Sequence, residues 1–214
     1  MKAVFFDLDG TVLDTEQDIF DCMNEALAKL GYQTKDHKTI KSAIGNDSLN
    51  FMRVIMGDLP NEELMYIWSN VYEPIVKQKG VEKTKVFEGI KEVLAELKNR
   101  GFANILYTNK TDNELAPFID KFLKGLSYDY VIAVGGTDRA KPSPEPVYEL
   151  LDKFGVKKEN AYLVGDGETD VLTALNAGIT PVAVLWGNRT KEQLLLVGAK
   201  IFAEKPLELL DIIK

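Results

Sequence analysis

From Glu88 onward the chain alternates short apolar runs with stretches of helical periodicity, and this constrains the fold more than any other feature. Ile90, Val93, Leu94 and Leu97 recur at helical spacing and stop near Gly101. The run ANILY follows, then a helical stretch from about Asn113 to Leu123, then YVIAV. Ser143 and Pro144 read as the cap and first-turn proline of another helix. AYLV, a helix over 169–177 ending at Gly178, PVAVL, a helix from about Thr190, a short strand near Ile201 and a last helix from Pro206 complete the series. Strands alternating with helices imply a parallel sheet with helices on both faces. The N-terminal run AVFF ends at the turn DLDG and reads as a further buried strand.

Between that first strand and Glu88 the pattern changes. Ile19, Phe20, Met23, Ala26, Leu27 and Leu30 mark a helix that Gly31 stops. Shorter helices are expected over 36–44 and 48–56, and a longer one from Asn61 to about Lys79 that Pro74 should kink or split. Residues 15–81 therefore read as an all-helical insertion in the first crossover, with Asp14 and Thr15 at the hinge and Thr15 as a candidate helix cap.

In open parallel sheets ligands bind at the carboxyl ends of the strands. Asp7, Asp9 and Thr11 follow AVFF; Thr108, Asn109 and Lys110 follow ANILY; Asp138, Arg139 and Lys141 follow YVIAV; Gly165, Asp166, Gly167 and Asp170 follow AYLV. Carboxylates converging on one crevice repel: at 4 Å and an effective dielectric near 20, one pair costs about 4 kcal/mol. A hard divalent cation removes that cost, and oxygen-only ligands suit magnesium. A hydroxyl and an ammonium beside a metal suit a phosphoryl group.

The motifs DLDGTVLDT, YTN, AKPSPEP and VGDGETD, in that order, resemble those of the haloacid-dehalogenase-like (HAD) phosphohydrolase superfamily, most closely its phosphoglycolate phosphatase and β-phosphoglucomutase-like branch. The resemblance implies a Rossmann-like α/β core over 1–14 and 82–214 and a helical cap domain over 15–81. It implies that Asp7 is the nucleophile that forms an aspartyl-phosphate and Asp9 the general acid and then base, its main-chain carbonyl also binding Mg2+. Thr108 and Asn109 would hold the phosphoryl group, Lys141 would orient Asp7, Asp166 would complete the metal site and Asp170 would support it. The expected reaction is Mg2+-dependent hydrolysis of a small phosphorylated metabolite, phosphoglycolate first and sugar phosphates second, with nucleotides and pyrophosphate open. A phosphomutase shares this core chemistry. Hydrolytic dehalogenases share the fold but need no second acid in the first motif and use no Mg2+, so Asp9 and Asp166 argue for phosphoryl transfer. A non-enzymatic phospho-acceptor of the receiver type has two adjacent acids after its first strand, whereas Asp7 and Asp9 are spaced.

Other features bound the reading. The net charge of −7 argues against non-specific nucleic-acid binding, which needs a basic footprint. The single cysteine, Cys22, forbids an internal disulfide and reads as a packing residue. MKAVFFDLDG meets an acid too early for a signal peptide, and no apolar run approaches the roughly 20 residues that span a bilayer. A cytoplasmic protein without membrane contact is expected, with oligomeric state open. His37 reads as a surface residue, Trp68 and Tyr72 as packing within the insertion, and Arg53 and the Gly45–Ser48 loop as candidate substrate readers. Trp186–Gly187 reads equally as packing or as site lining.

Overall fold

The computed structural model describes residues 1–79 and 81–214. Gly80, inside the stretch expected to be helical, lies outside the described residues. The main sheet is parallel and six-stranded, in the order β5 (Tyr130–Ala133), β4 (Phe102–Thr108), β1 (Lys2–Phe6), β6 (Ala161–Gly165), β7 (Thr180–Val184), β8 (Phe202–Ala203). β1 lies at its centre, with Val4 opposite both Asn104 and Tyr162. Its apolar run is continuous because both faces are covered. Val4 and Phe6 pack with Val93 and Leu97 of α6 (Ile90–Asn99), whereas Ala3 and Phe5 pack with Val147 and Leu151 of α8 (Glu145–Phe154) and Ala174 of α9 (Glu168–Ala177). This is the Rossmann-like layering that the alternation predicts.

The segment between β1 and α6 is helical: α1 (Glu16–Lys29), α2 (His37–Ala43), α3 (Ser48–Met56), α4 (Asn61–Ile67) and α5 (Glu73–Lys79). These helices bury their own cluster, including Met23, Leu27, Ile40, Met52, Leu64 and Trp68. The chain enters and leaves this block through a small antiparallel ribbon that the periodicity did not reveal, β2 (Leu13–Asp14) against β3 (Lys85–Val86). The Asp18 carboxylate ties the two passages together, accepting from the Thr84 main-chain N and hydroxyl, each at 2.7 Å, and from Lys83 N at 3.1 Å. Among the described residues no helix is long and apolar enough to cross a membrane.

Several local expectations are corrected. Pro74 does not kink a continuous helix; the break is a π turn over Trp68–Tyr72, and Pro74 sits in the first turn of α5, where its missing N–H is tolerated. A second π turn, Ile119–Leu123, follows α7 (Asp112–Phe118), which carries Pro117. Ser143 gives no side-chain cap, and Pro144 lies at the N-cap of α8, outside its first turn. α10 (Lys191–Leu196) begins with a Thr190–Gln193 capping box, and α11 (Leu209–Ile212) follows a 3₁₀ turn over Pro206–Glu208.

Candidate active site

The loops after β1, β4, β5 and β6 meet beneath the helical block. Asp7, Asp166 and Asp170 are buried and each offers a carboxylate oxygen, all within 4.8 Å of one another. Lys141 enters between them, its ammonium 2.6 Å from Asp7 Oδ1 and 2.6 Å from Asp170 Oδ1. Burial pulls this lysine's pKa down, but the charges of Asp170 and Asp7 outweigh it and hold the ammonium protonated. Burial, together with the charge of Asp170, pushes the Asp7 carboxyl well above the usual carboxylate range. The same two causes push Asp166 to about 6. Asp170 also accepts from Gly167 N at 3.0 Å, so it completes the start of α9 as well as the acidic cluster.

The surroundings of Asp166 are built for close approach. Its Oδ2 accepts from Asn188 N at 2.6 Å and Asn188 Nδ2 at 2.9 Å, and Oδ1 accepts from Thr11 Oγ1 at 3.2 Å. A Cβ on Gly10 would lie 2.3 Å from Asp166 Oδ2, and one on Gly187 2.4 Å from Asp166 Cβ, so both positions require glycine. Trp186 is anchored beside them by its indole N–H, which donates to Thr11 O at 3.0 Å. Among the described residues Asp7 Oδ2 is buried without a hydrogen-bond partner. An orphaned carboxylate oxygen within an all-oxygen cluster is what a hard divalent cation satisfies, so these residues fit such an ion.

Asp9 departs from this cluster although it lies two residues beyond Asp7. Its carboxylate turns toward the helical block, accepting from Thr15 Oγ1 at 2.5 Å and pairing with Lys110 Nζ at 3.0 Å. Thr15 therefore uses its hydroxyl on Asp9 and gives α1 no side-chain cap. Lys110 is buried; Asp9 and Glu114 together outweigh the effect of burial and raise its pKa. Thr108 faces the same space, its hydroxyl accepting from Lys110 N at 3.1 Å and so keeping its own proton to donate. Asn109 also reaches the site, but its side chain is occupied: Oδ1 accepts from Lys141 N at 2.7 Å, and Nδ2 donates to Gly45 O at 3.1 Å and Lys141 O at 3.3 Å.

Asp7, Asp9, Thr108, Asn109 and Lys110 form the floor of a small chamber, with a cavity volume of about 30 Å³. Ile19, Ile44, Gly45, Asn46, Phe51, Trp68 and Tyr72 of the helical block form its roof. Trp68 and Tyr72 thus pack inside the block and line the chamber. Of the candidate readers, Gly45 and Asn46 reach the chamber, whereas Arg53 turns outward to Asn61 Oδ1. Lys110, Asn188 and the junction residue Asp18 are polar anchors that periodicity did not single out. The only local trace is the position of Lys110 directly after YTN.

A parallel α/β sheet with carboxylates and a lysine gathered at its carboxyl edge, roofed by an inserted helical block, defines a class of hydrolytic enzyme. The chain belongs to the haloacid dehalogenase-like hydrolase family, whose model matches residues 4–184. It is 28% identical to the phosphoglycolate phosphatase of Vibrio parahaemolyticus, over 100% of this chain and 96% of that protein. It is 31% identical to a pyrophosphatase candidate, PpaX, of Caldanaerobacter subterraneus, over 100% of this chain and 95% of that one. Among solved structures, a predicted phosphatase of Clostridium acetobutylicum superposes with a TM-score of 0.85 at 26% identity, covering 99% of this chain and 97% of that one.

Proposed function

We propose that this enzyme is a Mg2+-dependent phosphatase acting on a small phosphate monoester through an aspartyl-phosphate on Asp7. The observation that carries the reading is the state of Asp7: Lys141 holds one carboxylate oxygen, and the other is unpartnered. A carboxylate fixed in this way is a competent covalent nucleophile. Asp7 attacks phosphorus, the ester oxygen leaves with a proton from Asp9, and Asp9 then takes a proton from the water that cleaves the acyl phosphate. Such acid–base help is worth about 10²–10⁴ in rate. Lys141 neutralises the charge beside Asp7, while the Thr108 hydroxyl and the main chain at Asn109 receive the phosphoryl oxygens. Asp7, Asp166, Asp170 and the Asp9 carbonyl would hold the metal, which supplies charge neutralisation for the transferring phosphoryl group.

We further propose that residues 15–81 act as a cap domain on a core of 1–14 and 82–214. The compact chamber beneath the cap favours a short leaving group, and phosphoglycolate is the first candidate, as in the name of the Vibrio relative. The test is phosphate release from a panel of 2-phosphoglycolate, sugar phosphates, nucleotides and pyrophosphate, with and without Mg2+, beside Asp7→Asn. Metal-dependent release that vanishes in the variant supports the reading, and the panel ranks substrates. Release that survives Asp7→Asn means another nucleophile. Transfer to a sugar hydroxyl instead of water means a mutase.

A further inference from the structure

The roof loop is held closed by main-chain carbonyls that the core claims. α2 ends at Ala43, immediately before Ile44, Gly45 and Asn46 in the chamber roof. The last carbonyls of a helix lack intrahelical partners. Here Ser42 O, Lys41 O (which also accepts from Ile44 N at 3.3 Å) and the carbonyl of Ile44 just beyond the helix are taken by a residue of the core, Arg189, which lies in the loop after β7. Its guanidinium donates to Lys41 O at 3.1 Å, Ser42 O at 2.9 Å and Ile44 O at 2.9 Å. The next carbonyl, Gly45 O, accepts from Thr169 Oγ1 at 3.1 Å and from Asn109 Nδ2 at 3.1 Å. On the core side the Arg189 Nε donates to Glu168 Oε2 at 2.6 Å.

Arginine suits the position. Its planar fork reaches several acceptors at once, which a lysine ammonium on a flexible stem does not, and a cation is favoured at a helix C-terminus. Arg189 is buried in this arrangement, and its Glu168 partner is partly exposed. Were the block to open, both would return to water as an intact ion pair, so the contact is one that could be made and broken.

We infer that Arg189 is a positioning residue that latches the helical cap shut over the substrate, gripping it by the C-terminal carbonyls of α2. The inference rests on the phosphatase reading for its kinetic consequences but not for the latch itself. A substrate enclosed by the closed chamber needs the latch; one whose leaving group is too large for the chamber reacts without it.

The test compares Arg189→Ala with the natural enzyme on 2-phosphoglycolate and on p-nitrophenyl phosphate, together with amide hydrogen exchange over residues 41–47. Hydrogen bonds from a charged donor are among the stronger ones, so kcat/KM for the compact ester should fall by about ten- to a hundredfold. Activity on the aryl ester should change by less than about threefold, and exchange across 41–47 should accelerate. Arg189→Lys should recover only part of the difference. A parallel loss on both esters, or exchange that does not change, overturns the latch. If the natural enzyme hydrolyses neither ester, the phosphatase reading is at fault and exchange alone decides the latch. Should Arg189→Ala fail to fold, Glu168→Gln, which frees the guanidinium on its core side, carries the same expectation at smaller size.

Discussion

The floor and roof of the chamber face each other across a narrow space, and different physics holds each. The floor rests on a network of buried charge: Asp7, Asp166 and Asp170 around Lys141, with burial raising the pKa values of Asp7 and Asp166. The roof is apolar and aromatic. Phe51, Trp68 and Tyr72 pack with ring centroids 4.6–6.2 Å apart, and the buried Trp68 indole N–H has no partner among the described residues. Charges in a low-dielectric site act strongly and must be placed accurately, so the floor is suited to chemistry common to many esters. An apolar roof discriminates by shape and by one or two polar contacts. Asp9 lies between them, joined to the block through Thr15. The proposed acid–base group is thereby placed to respond to the position of the roof.

Changes to the floor should cost orders of magnitude, and changes to the roof should redistribute preference. The largest effect is expected for Asp7→Asn, which should lower kcat by at least about 10³-fold as loss of a nucleophile does. Its melting temperature without Mg2+ should stay the same or rise, because a carboxylate disfavoured by burial and by Asp170 has become neutral. A variant that instead melts well below the natural enzyme would make Asp7 a structural residue. Next comes Asp166→Ala, which should raise the Mg2+ concentration needed for half-maximal thermal stabilisation by about tenfold or more. An unchanged Mg2+ titration removes Asp166 from the metal site.

On the roof, Trp68→Phe keeps the aromatic packing and deletes the unpartnered N–H. KM should shift by up to about tenfold for some esters and hardly at all for others, with kcat little changed. A uniform fall in kcat would place Trp68 in the chemistry and erase the contrast between roof and floor. The smallest effect concerns Glu114, whose carboxyl burial pushes up to about 7, with Lys110 opposing. Its value in the fold lies above the ordinary 4.5, so the folded protein holds this proton more tightly than the unfolded chain. That stabilisation is complete below about pH 4.5 and is lost as pH rises through about 7. Glu114→Gln stays neutral throughout, so its Tm relative to the natural enzyme should climb over this range by a few degrees, at about 2–4 °C per kcal/mol. A difference that does not vary with pH would mean that Glu114 carries no raised pKa.

The residues legible in sequence are those whose function follows from being next to a strand end. Asp7, Thr108 and Asp166 each sit within a few residues of an apolar run, and a parallel sheet brings such positions to one edge. Thr15 shows where local reading stops. Its place before α1 predicts a helix cap, yet its hydroxyl serves Asp9, a choice made by the turn between them. Asn109 is similar: proximity to the strand end brings it to the site, but Gly45 and Lys141 claim its amide.

Periodicity and turn residues by themselves determined the alternation of strands and helices, the inserted helical block and the set of acids at the sheet's edge, because these depend on burial patterns only a few residues long. Tertiary structure alone decided that Asn188 holds Asp166 and that Arg189, far along the chain, grips the end of α2. Those partners are an acid's second oxygen and a set of main-chain carbonyls. Every residue carries a carbonyl, so no residue type marks which ones will be left unpaired at a closed interface until the two bodies are packed together.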